Sequence, residues 1–281
     1  MSSPPAAPVA VTDRRGGLVW LWPFRHSRRT AAEIDALLEA ARPWVTPLRY
    51  LTLAAVAGVL PLVLGLVLES DLHRLLTAAL LFPAFLVLVR DDRQRLACGG
   101  MLVALALHSL TAIALASWRP ERAALVLSDG AAYWARNYAW IRTGIDPEYE
   151  VAHWLPAHVQ QLGAMTLYGY TSLGFLPLLR GLYELDLMNY YVGRLLGVSR
   201  SPWVALFFGW HLWALLRGIA YTRLAYEVAQ IALGRVLGRP LTQPGVRLRR
   251  LAIVLALLVG DGLLKYVGLP GVRSVLFSNL R

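Results

Sequence analysis

Between Arg49 and Glu69 the chain carries no charged side chain, and Leu51–Leu68 is apolar apart from Thr52. A helix of about 20 such residues spans the hydrocarbon layer of a bilayer, whereas a soluble domain seldom needs one. Ala97–Ser117 repeats the pattern, and Leu251–Val267 repeats it with Asp261 and Lys265 inside. Weaker candidates are Arg74–Val89, Gln161–Leu179 and Pro202–Leu216, the last continuing to Leu237. Hydrophobic residues make up 57% of the chain and charged residues 16%, against about 45–50% and about 25% in soluble proteins. This composition excludes a disordered chain, a disulfide scaffold and a soluble nucleic-acid binder. The sequence predicts an all-α fold, a polytopic transmembrane helical bundle of about six to seven membrane segments.

The chain divides accordingly. Residues 1–29 read as a disordered basic and aromatic tail, in which Trp20, Trp22 and Phe24 lie beside Arg14, Arg15, Arg25, Arg28 and Arg29. Such a cluster suits the headgroup layer, and no apolar core precedes residue 49 to make a signal peptide. Residues 30–48 read as an interfacial amphipathic helix. Thr30 and Glu33 form a capping box, and Ile34, Leu37, Leu38 and Ala41 share one face. A three-helix bundle is expected over 49–117 and an extracytoplasmic loop over 118–160. The remainder, 161–281, is expected to hold an interfacial segment at 181–200 and a helix at 202–237 that is split or re-entrant near Arg217-Gly218.

All but one of the 28 cations are arginine, Lys265 being the exception. In a membrane chain they mark orientation and lipid headgroup contact. The arginines before residue 49 and at 90–95 predict a cytoplasmic N-terminus, in a bacterial inner membrane. Splitting 202–237 returns Arg239–Arg250 to the same side and leaves the C-terminus outside.

Ionisable residues within apolar segments are candidates for function, because uncompensated charge is costly there. They are Arg180, Glu184, Arg217, Arg223, Glu227, Asp261 and Lys265, with Glu227 the sole acid between residues 187 and 260. Arg223/Glu227 and Asp261/Lys265 have the i, i+4 spacing of intrahelical ion pairs. His108 and His211 lie on separate spans, the minimum for a bis-imidazole haem. His153 and His158, with Asp129 and Asp146 nearby, offer acid/base groups and a loop zinc set. Five residues apart with Pro156 between them, the two histidines lack the one-face geometry of helical zinc pairs. The sequence assigns no cofactor. The sole cysteine, Cys98, excludes an intramolecular disulfide, and no P-loop, GxSxG or HExxH motif occurs.

The expected function is a non-enzymatic integral subunit of a membrane complex, permease-like or anchoring. Its expected partners are membrane lipids, other subunits and a cytoplasmic soluble protein, with no nucleic acid. The alternatives are a lipid-handling membrane enzyme acting at the outer loop and a small-solute or proton-coupled transporter.

Overall fold

The computed structural model describes residues 28–145 and 151–281, with the side chains of 30–145 and 154–281. The expectations for the N-terminal tail, for Asp146 and for the His153 side chain lie outside the described residues. Within them the chain is all-helical, with eleven α-helices and no strand. They are α1 (Arg28–Ala41), α2 (Pro47–Leu68), α3 (His73–Arg90), α4 (Gln94–Trp118), α5 (Pro120–Val126) and α6 (Gly130–Thr143). There follow α7 (Val151–Thr171), α8 (Phe175–Val198), α9 (Pro202–Gly209), α10 (Leu212–Val236) and α11 (Pro244–Ser278).

Four helices, α2, α3, α4 and α11, are long and apolar enough to cross a membrane. The pair α9–α10, bent by 45°, is a fifth candidate. Their outward faces carry Val63, Leu64 and Val67 on α2 and Leu255, Val259 and Leu263 on α11, all exposed. Continuous leucine and valine surface of this kind belongs against lipid, because water would drive it to aggregate.

Local chemistry sets the boundaries. Thr46 caps α2 by accepting from the Arg49 amide at 3.4 Å, with Pro47 at the first helical position where its missing N–H costs nothing. Glu69 ends α2 in the left-handed region at φ 50°. Helices α4 and α8 approach closely at Gly193, where a Cβ would lie 2.6 Å from Ala116 Cβ and 2.8 Å from the Ile113 carbonyl. Glycine here is a packing requirement of the small-residue type that joins membrane helices.

The bundle has two ends. At one end the α3–α4 turn meets the α10–α11 turn, with Arg250 Nη1 2.6 Å from Asp92 Oδ1 and Arg239 3.4 Å from Asp35 of α1. The other end gathers α5, α6, α9 and the C-terminus, joined by an isolated bridge between Ser199 and Leu280. Arg239–Arg250 and the N-terminal helix therefore share an end, as the arginine pattern predicts.

The route differs from the one expected. Arg217-Gly218 does not interrupt α10, because Asp261 meets the Arg217 charge, and the break falls earlier, at Trp210-His211. The topology closes instead through a hairpin of α7 and α8, turning at 172–174 inside the stretch expected to be one span. The 181–200 segment is not interfacial: it is the C-terminal part of α8, packed along α4 with Leu182, Asp186, Asn189, Tyr190 and Gly193 buried. The 118–160 stretch is largely helical, holding α5, α6 and the start of α7. Helix α1 begins at Arg28, two residues before the expected cap, a difference within the usual fraying of helix ends.

Candidate functional site

The residues that line one cavity inside the bundle come from six helices. A cavity of 190 Å³ is bounded by Met165 of α7, Arg180 of α8, Trp213 and Arg217 of α10 and Lys265 of α11, with α4 and α6 completing it. Trp210 and His211, the residues of the α9–α10 break, also line it. Unwound backbone inside a membrane bundle is tolerated only where it lines a cavity or is buried in protein, and broken helices recur at transport sites for that reason. His211 is 7% exposed, stacks on Trp213 with ring centroids 4.4 Å apart, and leaves its Nε2 without a hydrogen-bond partner.

Arg217 forms a bidentate pair with Asp261, Nε to Oδ2 and Nη2 to Oδ1 both at 2.9 Å. Planar two-point pairing is the strong form of the charge-assisted hydrogen bond. Arg180 is paired with Glu184, and the Lys265 ammonium lies 5.7 Å from the Trp154 ring centre. Arg180, Arg217 and Lys265 thus bring three cationic side chains to the lining.

On the far side of the Arg217–Asp261 pair lies a groove of 500 Å³ between α7 and α11. Leu155, His158 and Leu162 form one wall, Leu255, Val259 and Asp261 the other, and Tyr221 is shared with the internal cavity. The groove exists because α7 and α11 each pack on α10 but scarcely on one another. His158 Nδ1 lies 2.8 Å from the Trp154 carbonyl and its Nε2 3.7 Å from Asp261.

A second buried cluster joins α3, α4 and α8. His73 Nε2 lies 2.9 Å from Asp186 Oδ2, His108 Nε2 lies 2.6 Å from Oδ1, and Arg74 Nε donates to Oδ2 at 2.6 Å. Both histidines and Asp186 are 0% exposed, and the imidazoles stack at 5.6 Å. These three residues are the set of metal-ligand types that the described residues bring together.

A third cluster closes the arginine-rich end. Asp92, in the left-handed region at φ 52°, accepts from Gln230 and Thr242 at 2.9 Å each and from Arg250. Burial alone would raise the Asp92 pKa, but these hydrogen bonds outweigh it and hold the carboxyl below its usual range. Beside it Gln94 donates to Glu227 at 2.7 Å, and Arg250 lies 3.7 Å from the same carboxylate.

The sequence-predicted residues are thus distributed over separate places. Arg217 and His211 line the cavity, and His158 lies across the ion pair from it. His108 belongs to the Asp186 cluster, so it and His211 keep different company. Glu227 is held by Gln94 and Arg250 rather than by Arg223 one turn away, and Asp261 takes Arg217 as its bidentate partner. Asp129, immediately before α6, accepts from the Tyr183 hydroxyl of α8 at 3.0 Å. Residues His73, Arg74 and Asp186 were not foreseen. The available signal was Asp186 and Asn189 sharing a helix face with Leu182 and Gly193 (i, i+4, i+7, i+11), a pattern of burial that an interfacial reading overlooks. Comparison with protein-family models, curated proteins and solved structures returns no match for this chain.

Proposed function

We propose that this chain is a permease-like integral membrane component that receives an anionic amphiphile, a lipid, from the bilayer into its internal cavity. The observation that carries the reading is the position of the Arg217–Asp261 pair. It stands between an internal cavity lined by Arg180, Arg217 and Lys265 and an apolar groove on the lipid side. An acyl chain fits leucine and valine walls, and an anionic headgroup fits Arg217, Lys265 and the amino end of α10 at His211, where the helix dipole is positive. The apolar remainder of the cavity, with Met165 and Trp213, is what an amphiphile needs and a small hydrophilic solute does not.

In this reading the arginine-rich end faces the cytoplasm of a bacterial inner membrane, following the positive-inside rule. The α7–α8 hairpin then joins the other spans within the bilayer. Helix α1 lies along the interface with Leu37 turned to lipid, as are Trp44 in the turn after it and Leu48 at the start of α2, all three being largely exposed. The energy source, where one is used, belongs to a partner subunit docked at that face.

Native mass spectrometry of the full chain, released from detergent micelles containing anionic and zwitterionic lipids of equal chain length, tests the proposal. The anionic lipid is retained about tenfold more tightly, a difference of about 1.4 kcal/mol, and Lys265→Gln removes most of that preference. Equal retention of the two lipids, or a preference unchanged in Lys265→Gln, contradicts it.

A further inference from the structure

We propose that His73, His108 and Asp186 form a binding site for a borderline divalent cation of the zinc–cobalt class, independent of the lipid cavity. The ligand types are those such an ion takes, two imidazole nitrogens and one carboxylate. They come from α3, α4 and α8, far apart in sequence, and so converge only in the fold. Both Nε2 atoms aim at one carboxylate from near-parallel rings, 16° apart.

The second observation is what surrounds them. His73 Nδ1, His108 Nδ1, Arg74 Nη2 and both amide atoms of Asn189 are buried with no hydrogen-bond partner. Asn189 is 0% exposed and lies one turn beyond Asp186 on α8. Orphaned buried polar atoms are rare, and five of them on this cluster and the next turn of α8 call for an ion or water nearby. On binding, the metal takes the two Nε2 lone pairs and the ring protons move to Nδ1, so metal bonds replace the hydrogen bonds to Asp186, and a metal-bound water is offered to the amide of Asn189. Arg74 remains on Asp186 Oδ2 as the outer partner that orients a ligating carboxylate.

The present N···O separations of 2.9 and 2.6 Å are hydrogen-bond contacts. Ligands at about 2.1 Å from a tetrahedral ion stand about 3.4 Å apart, so the side chains must withdraw by about half an ångström or a little more. Side-chain rotation supplies this without moving the helices.

The test is titration of the full chain in detergent, stripped of metal, with Co²⁺ and then Zn²⁺. The expected result is one equivalent per chain with the visible absorption of tetrahedral cobalt, abolished by zinc. His73→Gln and His108→Gln each weaken binding by more than about tenfold, and Arg74→Gln weakens it about ten- to a hundredfold. Glu227→Gln, in another cluster, leaves it unchanged. Absence of stoichiometric binding by the wild-type chain overturns the proposal, as does binding that survives in the His73→Gln/His108→Gln double variant. If the variants fail to fold, the wild-type chain still decides: stripping the metal must lower its melting temperature and zinc must restore it. No shift in either direction also overturns the assignment.

Discussion

Replacing Asp186 by Asn tests how the α3–α4–α8 core carries its charge. The substitution keeps the shape but removes the negative charge that faces Arg74, whose side chain is 12% exposed. It also turns an amide N–H₂ toward groups that are themselves donors. Removing one partner of a buried ion pair costs about 3–5 kcal/mol, because the other charge is left uncompensated. Against a total stability of about 5–15 kcal/mol, that is a large fraction. Reversible unfolding in mixed micelles, followed by far-ultraviolet circular dichroism on metal-free protein, reads the difference. The double variant Arg74→Leu/Asp186→Leu should recover only the part owed to the uncompensated charge, since His73 and His108 still lose their common partner. Glu184→Gln, which breaks the exposed pair with Arg180, should cost about 0–1 kcal/mol. An Asp186→Asn variant within about 1 kcal/mol of wild type, or single effects that simply add, would refute the reasoning.

Three further outcomes are expected. Gly193→Ala places a Cβ against Ala116 and the Ile113 carbonyl and should destabilise by about 1–3 kcal/mol, whereas Gly163→Ala, with nothing within 4 Å, should be neutral or slightly stabilising in the same unfolding assay. Asp92→Asn should lower the melting temperature more than Glu227→Gln, because Asp92 gathers Gln230, Thr242 and Arg250 while Gln at 227 can still pair with Gln94. The hydrogen bond from Arg90 holds the Asp35 carboxyl below its usual range, so its contribution to docking α1 is present above the unfolded pKa of about 3.9 and lost as pH falls through the lower folded value. A spin label on Leu37→Cys in a Cys98→Ala background should keep constant mobility from about pH 8 to pH 5 and loosen only below about pH 4.

The apolar spans were legible because a bilayer demands length and composition together, and α2, α3 and α4 fall within a few residues of their expected limits. Arg217 was legible as a candidate because intramembrane charge is rare. Its partner was not: i, i+4 spacing favoured Asp261 with Lys265, but a guanidinium on α10 matches a carboxylate in two-point geometry and Asp261 turns to it. Arg223 and Glu227 likewise have the right spacing, yet tertiary partners on α4 and α11 engage Glu227 instead. The Asp186 cluster was hidden for two reasons. His73 sits at the first turn of α3, where sequence suggests only a loop, and α8 carries both an apolar stripe and polar residues, so its buried face cannot be told from periodicity alone. The break at Trp210-His211 follows Gly209, a signal masked by the apolar run around it. The α7–α8 turn, containing Gly174 at φ 93°, had a glycine signal that the long apolar run around it masked.

In the proposed function, lipid reaches the cavity through the α7–α11 groove. The most direct measurement of this is photo-crosslinking with an anionic lipid carrying a diazirine near the end of its acyl chain, in bilayers, followed by peptide mapping. Adducts are expected to concentrate on the groove walls at Leu155, Val159, Leu255 and Val259 and to decrease when Val259→Trp fills the groove. Adducts spread evenly over the outward faces of α2 and α11, and unchanged by Val259→Trp, would contradict it.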